Sequence, residues 1–263
     1  MIKNLTIAVL GLGEAGSCFA NDLAGMGFSV FGWDPLPRYS LHERVNFANS
    51  NLDAAKEADI IFSVNLSSAS EEIAKEVVPA LNEEKIYCEM NTSSPNKKQS
   101  VYEIVKSSGV QFVDLAIMAP VPLKGIQTPF LASGPGAKLL LEQLKPFDLS
   151  LEFLSDEVGD ASTRKLLRSI VYKGVAAVIC EAVEAAKAFG LDSYIREQIS
   201  SVIGGNDQLI NRFIEGSYTH AERRIHEMEA VADMLSHRGI EPLLSTAAKQ
   251  NLQKLQERKK LNK

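Results

Sequence analysis

Leu5-Thr-Ile-Ala-Val-Leu-Gly-Leu-Gly-Glu-Ala-Gly16 joins an apolar run to a helical pattern through three glycines spaced G-x-G-x-x-G. Each glycine has its own task in a strand-to-helix turn. Gly11 permits the tight turn, Gly13 lets the backbone approach a pyrophosphate, and Gly16 lets the helix lie close on the strand. The N–H groups and positive dipole end of the helix that starts near Glu14 would face the phosphates, with Leu12 and Ala15 completing the turn. Eighteen residues beyond Gly16, the run Phe28–Trp33 ends in Asp34, where a carboxylate can accept hydrogen bonds from an adenosine ribose. Strand, helix and acid together read as a nicotinamide-dinucleotide site. A glycine turn serving packing alone would not require the acid.

The same acid bears on the choice of cofactor, NAD or NADP. Asp34 repels a 2′-phosphate, and Pro35 stands where an arginine typically clamps one, so NAD is favoured. Arg38 is close enough in sequence to compensate.

Beyond this turn the first half alternates strand and helix. Strand-like runs fall at Thr6–Leu10, Phe28–Trp33, Asp59–Val64, Ile86–Met90, Gln111–Leu115 and Phe130–Ser133, with helical patterns at Glu14–Gly25, Ser70–Leu81 and Lys97–Ser107. That order predicts an α/β fold, a Rossmann-type doubly wound and mainly parallel sheet of six or more strands, with ligands at its carboxyl edge. After about Gly159 only helical periods follow: Ser162–Phe189, Ser193–Ile203, Gln208–Glu215, His220–Arg238 and Pro242–Lys260, stopped by Gly190, Gly204-Gly205, Gly216 and Gly239. We therefore expect a dinucleotide-binding domain over residues 1–158 and a smaller all-helical substrate and dimerisation domain over residues 159–263.

Composition narrows the class further. With 45% hydrophobic residues and a net charge of −5, the chain can bury a sizeable core but offers no basic face for nucleic acid. The Arg258-Lys-Lys260 tail with Lys263 reads as a solvated helix end. Cys18, Cys88 and Cys180 match no zinc or redox spacing and are expected as buried apolar residues in a reducing cytoplasm. His220 and His226 are six apart on a helix and point to different faces, so no metal site is expected. The first strand pattern starts directly after Met1-Ile-Lys-Asn, so no secretory leader is expected. The apolar run Val171–Cys180 is too short to span a bilayer and is interrupted by Lys173.

The first long helix of the second half, Gly159 to Glu181, is apolar on nearly every face and is expected to be buried. Yet it carries Arg164, Lys165, Arg168 and Lys173 within ten positions, and buried cations generally have a partner or a use. Lys165 and Ser169 lie one turn apart on one face, with Lys173 a further turn on. A half-desolvated lysine among other cations has its ammonium form disfavoured and can exchange a proton. Lys165 is thus the candidate for proton transfer. An exposed stripe making surface pairs is the structural alternative, and Lys173 fits either role.

Four segments resemble the β-hydroxyacid dehydrogenase superfamily, which includes 3-hydroxyisobutyrate and 6-phosphogluconate dehydrogenases. Gly11-Leu-Gly-Glu-Ala-Gly16 is similar to its cofactor turn, and Asn91-Thr-Ser-Ser-Pro95 to its serine-threonine segment. Asp114-Leu-Ala-Ile-Met-Ala-Pro120 occupies the place of its substrate loop, and Gly159 to Glu181 resembles the helix with its catalytic lysine. The likeness implies Lys165 as general acid/base, Ser169 where the family has a substrate-holding asparagine, and a homodimer. Met118-Ala119-Pro120 replaces the serine and glycines of the usual loop, as in a short 6-phosphogluconate dehydrogenase-like branch. With Met118 and Ser169 two polar contacts differ, which predicts rejection of the usual hydroxyacid.

Asn65 and Ser93 follow strands at the carboxyl edge and can bond the cofactor ribose or a substrate carboxylate, or serve only as turn residues. Arg168, Lys124 and Lys173 are candidates for the acid group of a small anionic metabolite. The expected activity is hydride transfer between nicotinamide and a hydroxyl or carbonyl carbon. An imine reductase and a non-catalytic dinucleotide-binding paralogue are the alternatives.

Overall fold

The computed structural model describes residues 5–204 and 206–261. The readings made on the first four residues, on Gly205 and on Lys263 lie outside the described residues.

The apolar runs form strands because both of their faces are covered. Eight strands occur: β1 (Thr6–Leu10), β2 (Ser29–Trp33), β3 (Val45–Phe47), β4 (Ile60–Ser63), β5 (Ile86–Glu89), β6 (Gln111–Ile117), β7 (Phe130–Ser133) and β8 (Leu151–Ser155). They make one sheet in the order β3-β2-β1-β4-β5-β6-β7-β8, parallel throughout except for the β6–β7 pair. Alternate residues of β1 serve opposite faces. Ile7 and Val9 join Phe19, Leu23 and Val30 in one core, while Ala8 and Leu10 join Ile61, Tyr87 and Phe112 in the other. Strands buried on both sides read as continuous rather than alternating apolar runs.

Helices α1 (Glu14–Gly25), α2 (Asn51–Glu57), α3 (Ser70–Val77), α4 (Pro95–Val105) and α5 (Ala137–Leu144) intervene between strands. Sequence order reverses between β1 and β4, and that switch point is where an open parallel sheet receives ligands. The doubly wound sheet expected from the alternation is present, with β3 at one edge and β8 at the other as additions.

The chain then becomes wholly helical: α6 (Asp160–Ala188), α7 (Asp192–Val202), α8 (Asp207–Thr219), α9 (Ala221–Ser236) and α10 (Leu243–Leu261). Two compact units divide within α6, between Lys165 and Leu166. In the helical unit, Leu166, Ile225, Met228, Val231 and Leu252 form one core, and Ala176, Ile179, Ile210 and Phe213 a second.

Gly216 lies inside α8 rather than ending a helix, and two expectations about burial also need correction. Helix α6 is not buried all round: Leu167, Val171 and Val178 are 49%, 67% and 70% exposed, a stripe at helical spacing that the chain's own helices leave uncovered. Of the three cysteines, Cys88 and Cys180 are buried, whereas Cys18 is half-buried on α1.

Candidate active site at the carboxyl edge of the sheet

The glycine turn has the geometry its spacing requires. Gly11 sits at φ +101°, and a Cβ there would lie 2.3 Å from the Val64 carbonyl oxygen of the neighbouring strand's exit. A Cβ on Gly16 would lie 1.9 Å from the Gly11 carbonyl oxygen, so the helix can approach the turn only without one. Gly13 differs, since nothing lies within 4 Å of its Cβ position. It is the N-cap of α1, with no side chain capping the first turn. Open space in front of uncapped amides is what a pyrophosphate needs, and the residues present fit a dinucleotide there. Glu14 shares this open surface, Ala15 is half-buried, and Leu12 is buried beneath the turn, its side chain 3.1 Å from where a Gly32 Cβ would stand.

Asp34 closes the same corner. Its Oδ2 accepts the Leu12 amide and its Oδ1 the Leu36 amide, both at 2.8 Å, which leaves lone pairs on each oxygen for a ribose hydroxyl. Arg38 is exposed on the following loop.

At the ends of β4 and β5 the side chains interlock. The Asn65 amide donates to Asn91 Oδ1 at 2.6 Å, Asn91 Nδ2 returns a bond to Asn65 Oδ1 at 3.0 Å, and Asn65 Nδ2 donates to Ser63 Oγ at 2.9 Å. Asn65 is thereby pinned in one orientation. Ser93 is buried, its hydroxyl directed to the Asn91 carbonyl at 3.4 Å. Between them stands Thr92, which sequence reasoning did not single out. Its Oγ1 accepts from Lys165 Nζ at 2.7 Å, which brings the amine of α6 to the loop after β5.

Below this loop lies a charge cluster that no sequence pattern marks. Lys98 of α4 bonds the Glu89 carboxylate and sits 3.2 Å from Asp114 Oδ1, with all three side chains essentially inaccessible. Burial opposes the Lys98 ammonium, but the two carboxylates outweigh it and hold its pKa above the ordinary lysine value. Lys97-Lys98 resembles any solvated lysine pair, and only the packing of α4 distinguishes one from the other.

The remaining candidates are divided between the two units. Met118 is half-buried, its amide bonded to the Pro129 carbonyl at 2.9 Å, and Lys124 is exposed. In the helical unit, Ser169 and Lys173 converge on Glu227 of α9, a residue the sequence reading missed. The Ser169 hydroxyl donates to Glu227, and Lys173 Nζ pairs with it at 2.7 Å while lying 5.4 Å from the Tyr172 ring centre. Burial lowers the Lys173 pKa, and Glu227 acts in the opposite sense. Arg168 is exposed. Among the described residues no group of three or more metal-type ligands occurs, and no helix is long and apolar enough to cross a membrane.

Comparison with known proteins accords with this geometry. Residues 6–122 match the NAD binding domain of 6-phosphogluconate dehydrogenase, and residues 186–255 match a domain of unknown function, DUF1932. An uncharacterized 28.5 kDa protein of Methanothermus fervidus is 26% identical over 78% of this chain and 79% of its own. Among solved structures, a conserved protein of unknown function, MTH1747, described as structurally similar to 3-hydroxyacid dehydrogenases, is 28% identical with a TM-score of 0.74, covering 98% of each chain. The Mycobacterium tuberculosis 3-hydroxyisobutyrate dehydrogenase, solved with L-serine, shares the fold at 19% identity and a TM-score of 0.76, over 95% of this chain and 93% of that one.

Fold and turn thus define a nicotinamide-dinucleotide-binding protein, an NAD(P)-dependent oxidoreductase in broad class. Residues 6–122 are similar to the NAD binding domain of 6-phosphogluconate dehydrogenase, and the chain as a whole has the fold of the 3-hydroxyacid dehydrogenase-like structures.

Proposed function

We propose that this chain transfers hydride between a nicotinamide dinucleotide, NAD in preference to NADP, and the hydroxyl or carbonyl carbon of a small substrate bearing an acid group. Residues 1–158 are assigned as the dinucleotide-binding domain, which also supplies Ser93, Met118 and Lys124 to the substrate, and residues 159–263 as the substrate and dimerisation domain. The observation that carries the reading is the Lys165 amine, held 2.7 Å from Thr92 Oγ1 on the loop after β5, where a parallel sheet presents its ligands.

When bound, the nicotinamide supplies the hydride acceptor or donor. In the oxidation direction neutral Lys165 takes the hydroxyl proton as the carbon–hydrogen bond gives up its electron pair. In reduction the Lys165 ammonium gives that proton to the forming alkoxide. Thr92 keeps the amine in one place through the exchange. Ser169 donates its proton to Glu227, so its oxygen faces other partners only as an acceptor. Within the dinucleotide-binding unit the exposed Lys124 is assigned to attracting an acid group and Met118 and Ser93 to substrate contact; within the helical unit the exposed Arg168 and the half-buried Lys173 are assigned the corresponding roles.

The uncovered stripe of α6 supports a homodimer, because an exposed apolar row on one helix gains most by packing on a twin. Helix α9 is the weaker candidate for that contact, since its Ile225, Met228 and Val231 are already buried. Three free cysteines suit a reducing cytoplasm.

The test is a panel of short hydroxyacids, phosphorylated sugar acids and cyclic imines, each assayed with NAD(H) and NADP(H). Turnover of an acid-bearing alcohol or ketone is expected. Turnover confined to imines would replace the reading with an imine reductase, and tight cofactor binding with no turnover would make the chain a binding paralogue.

A further inference from the structure

Asp114 and Ser133 stand opposite each other on the antiparallel pair β6–β7. Both side chains close the start of α6. Ser133 Oγ accepts the Ala161 amide at 3.0 Å, Asp114 Oδ2 accepts the Ser162 amide at 2.9 Å, and Asp114 Oδ1 accepts the Ser162 hydroxyl at 2.7 Å. First-turn amides have no partner inside their own helix. Here two strand residues supply what a cap residue ordinarily would, so the helix is bolted to the sheet at its first turn. Gly159, at φ +99°, lets the chain enter α6 against Pro95, where a Cβ would stand only 2.9 Å from the proline side chain.

Behind Asp114 lies Lys98, which also bonds the Glu89 carboxylate and donates to the Glu89 carbonyl at 2.9 Å. Glu89 in turn accepts from Asn91 Nδ2, fixing the loop that carries Thr92. The two ends of the Lys165–Thr92 bond are therefore anchored in one cluster. Glu89 holds the Thr92 loop, Asp114 holds the helix of Lys165, and the Lys98 ammonium joins the two carboxylates. Two carboxylates against one ammonium leave a negative charge in excess, which the positive end of α6 offsets. Such a cluster is a poor source of stability, because desolvating the ions consumes most of their attraction. What it fixes is geometry.

We infer that Lys98 and Asp114 are positioning residues that hold the first turn of α6, and with it the Lys165 amine, in register with Thr92. The inference rests on the reading of Lys165 as the acid/base, but its test does not require turnover. The full-length protein, without cofactor, is labelled with trace acetic anhydride, and acetylation at individual lysines is read by peptide mass spectrometry. In Asp114→Asn and in Lys98→Met, Lys165 is expected to label about fivefold faster than in the wild type, the loss of roughly one hydrogen bond's constraint. Lys138, whose side chain is 60% exposed, serves as the control in the same digest and should not change.

Ser162→Ala removes only the hydroxyl bond to Asp114 and should shift Lys165 in the same direction by less, with Ser162→Thr restoring it. This pair carries the test if the charged variants do not fold. Unchanged Lys165 labelling in folded variants overturns the inference, as does an equal rise at Lys138, which would report general loosening. If the labelling shifts appear while Lys165→Met still turns over substrate, the positioning stands and the acid/base reading falls.

Discussion

Replacing Gly13 by alanine should separate cofactor binding from folding. The backbone there, at φ −68° and ψ −164°, suits any L-residue, and the new Cβ would meet no atom of the chain within 4 Å. An alanine stiffens the unfolded chain, worth about 0.4–1 kcal/mol, and is a poorer N-cap by a similar amount. The two offset, so the melting temperature should stay within about 2 °C of the wild type. Binding should respond differently, because the methyl occupies the space where backbone amides meet the phosphates. Losing one charge-assisted hydrogen bond costs about 1.5–3 kcal/mol, which weakens the NADH dissociation constant by roughly 10- to 100-fold. Gly16→Ala is the contrast: its Cβ would fall 1.9 Å from a backbone oxygen, so folding itself must suffer. Fluorescence titration with NADH and thermal melts on the same samples read both quantities. Gly13→Ala protein that binds NADH like the wild type would refute the placement of the phosphates, and a large loss of melting temperature would refute the reading of open space.

Three further outcomes follow from the same geometry. Asp34→Asn keeps an oxygen for only one of the Leu12 and Leu36 amides, turns its NH2 toward the other, and removes the charge facing a 2′-phosphate, so the preference for NADH over NADPH should narrow by about tenfold in parallel titrations; an unchanged ratio would shift the discrimination to Arg38. Because the folded-state Lys173 pKa lies below the ordinary 10.5, the folded state releases this proton before the unfolded chain does. Wild-type stability, measured by denaturant unfolding against the double variant Lys173→Met/Glu227→Gln, should therefore improve as pH rises toward 10.5, and a flat difference would contradict the shift. Val178→Glu alters a side chain 70% exposed in the single chain, so the monomer's stability should change by no more than about 0.5 kcal/mol. Light scattering should nevertheless move from twice the 28.7 kDa chain mass toward that mass itself.

What the sequence disclosed, and what it concealed, follows the range of the interactions involved. Strand β1 and helix α1 match their expected ends because the glycine spacing and buried run are local. Strand β3 escaped notice since it is three residues at the sheet edge with two of them exposed. Helix α2 is seven residues long, and its one signal, Ser50 Oγ accepting the Asp53 amide, is a cap pattern common in turns. Helix α6 looked buried because periodicity reports apolar faces but not whether the same chain covers them. Lys165 could be singled out from its helix, whereas Thr92, 73 positions away, could not. The same applies to Glu227 with Ser169 and to Lys98 with Asp114, pairs created by packing between elements.

Everything asked of the site converges on the Lys165 amine, and Lys165→Met tests it most directly. The change keeps the length of the side chain and removes its proton chemistry. On a substrate identified from the panel, kcat should fall by at least about 100-fold, the ordinary contribution of a positioned acid/base, while the NADH dissociation constant stays within about twofold. Turnover by Lys165→Met within a few-fold of the wild type, at unchanged cofactor affinity, would contradict the account.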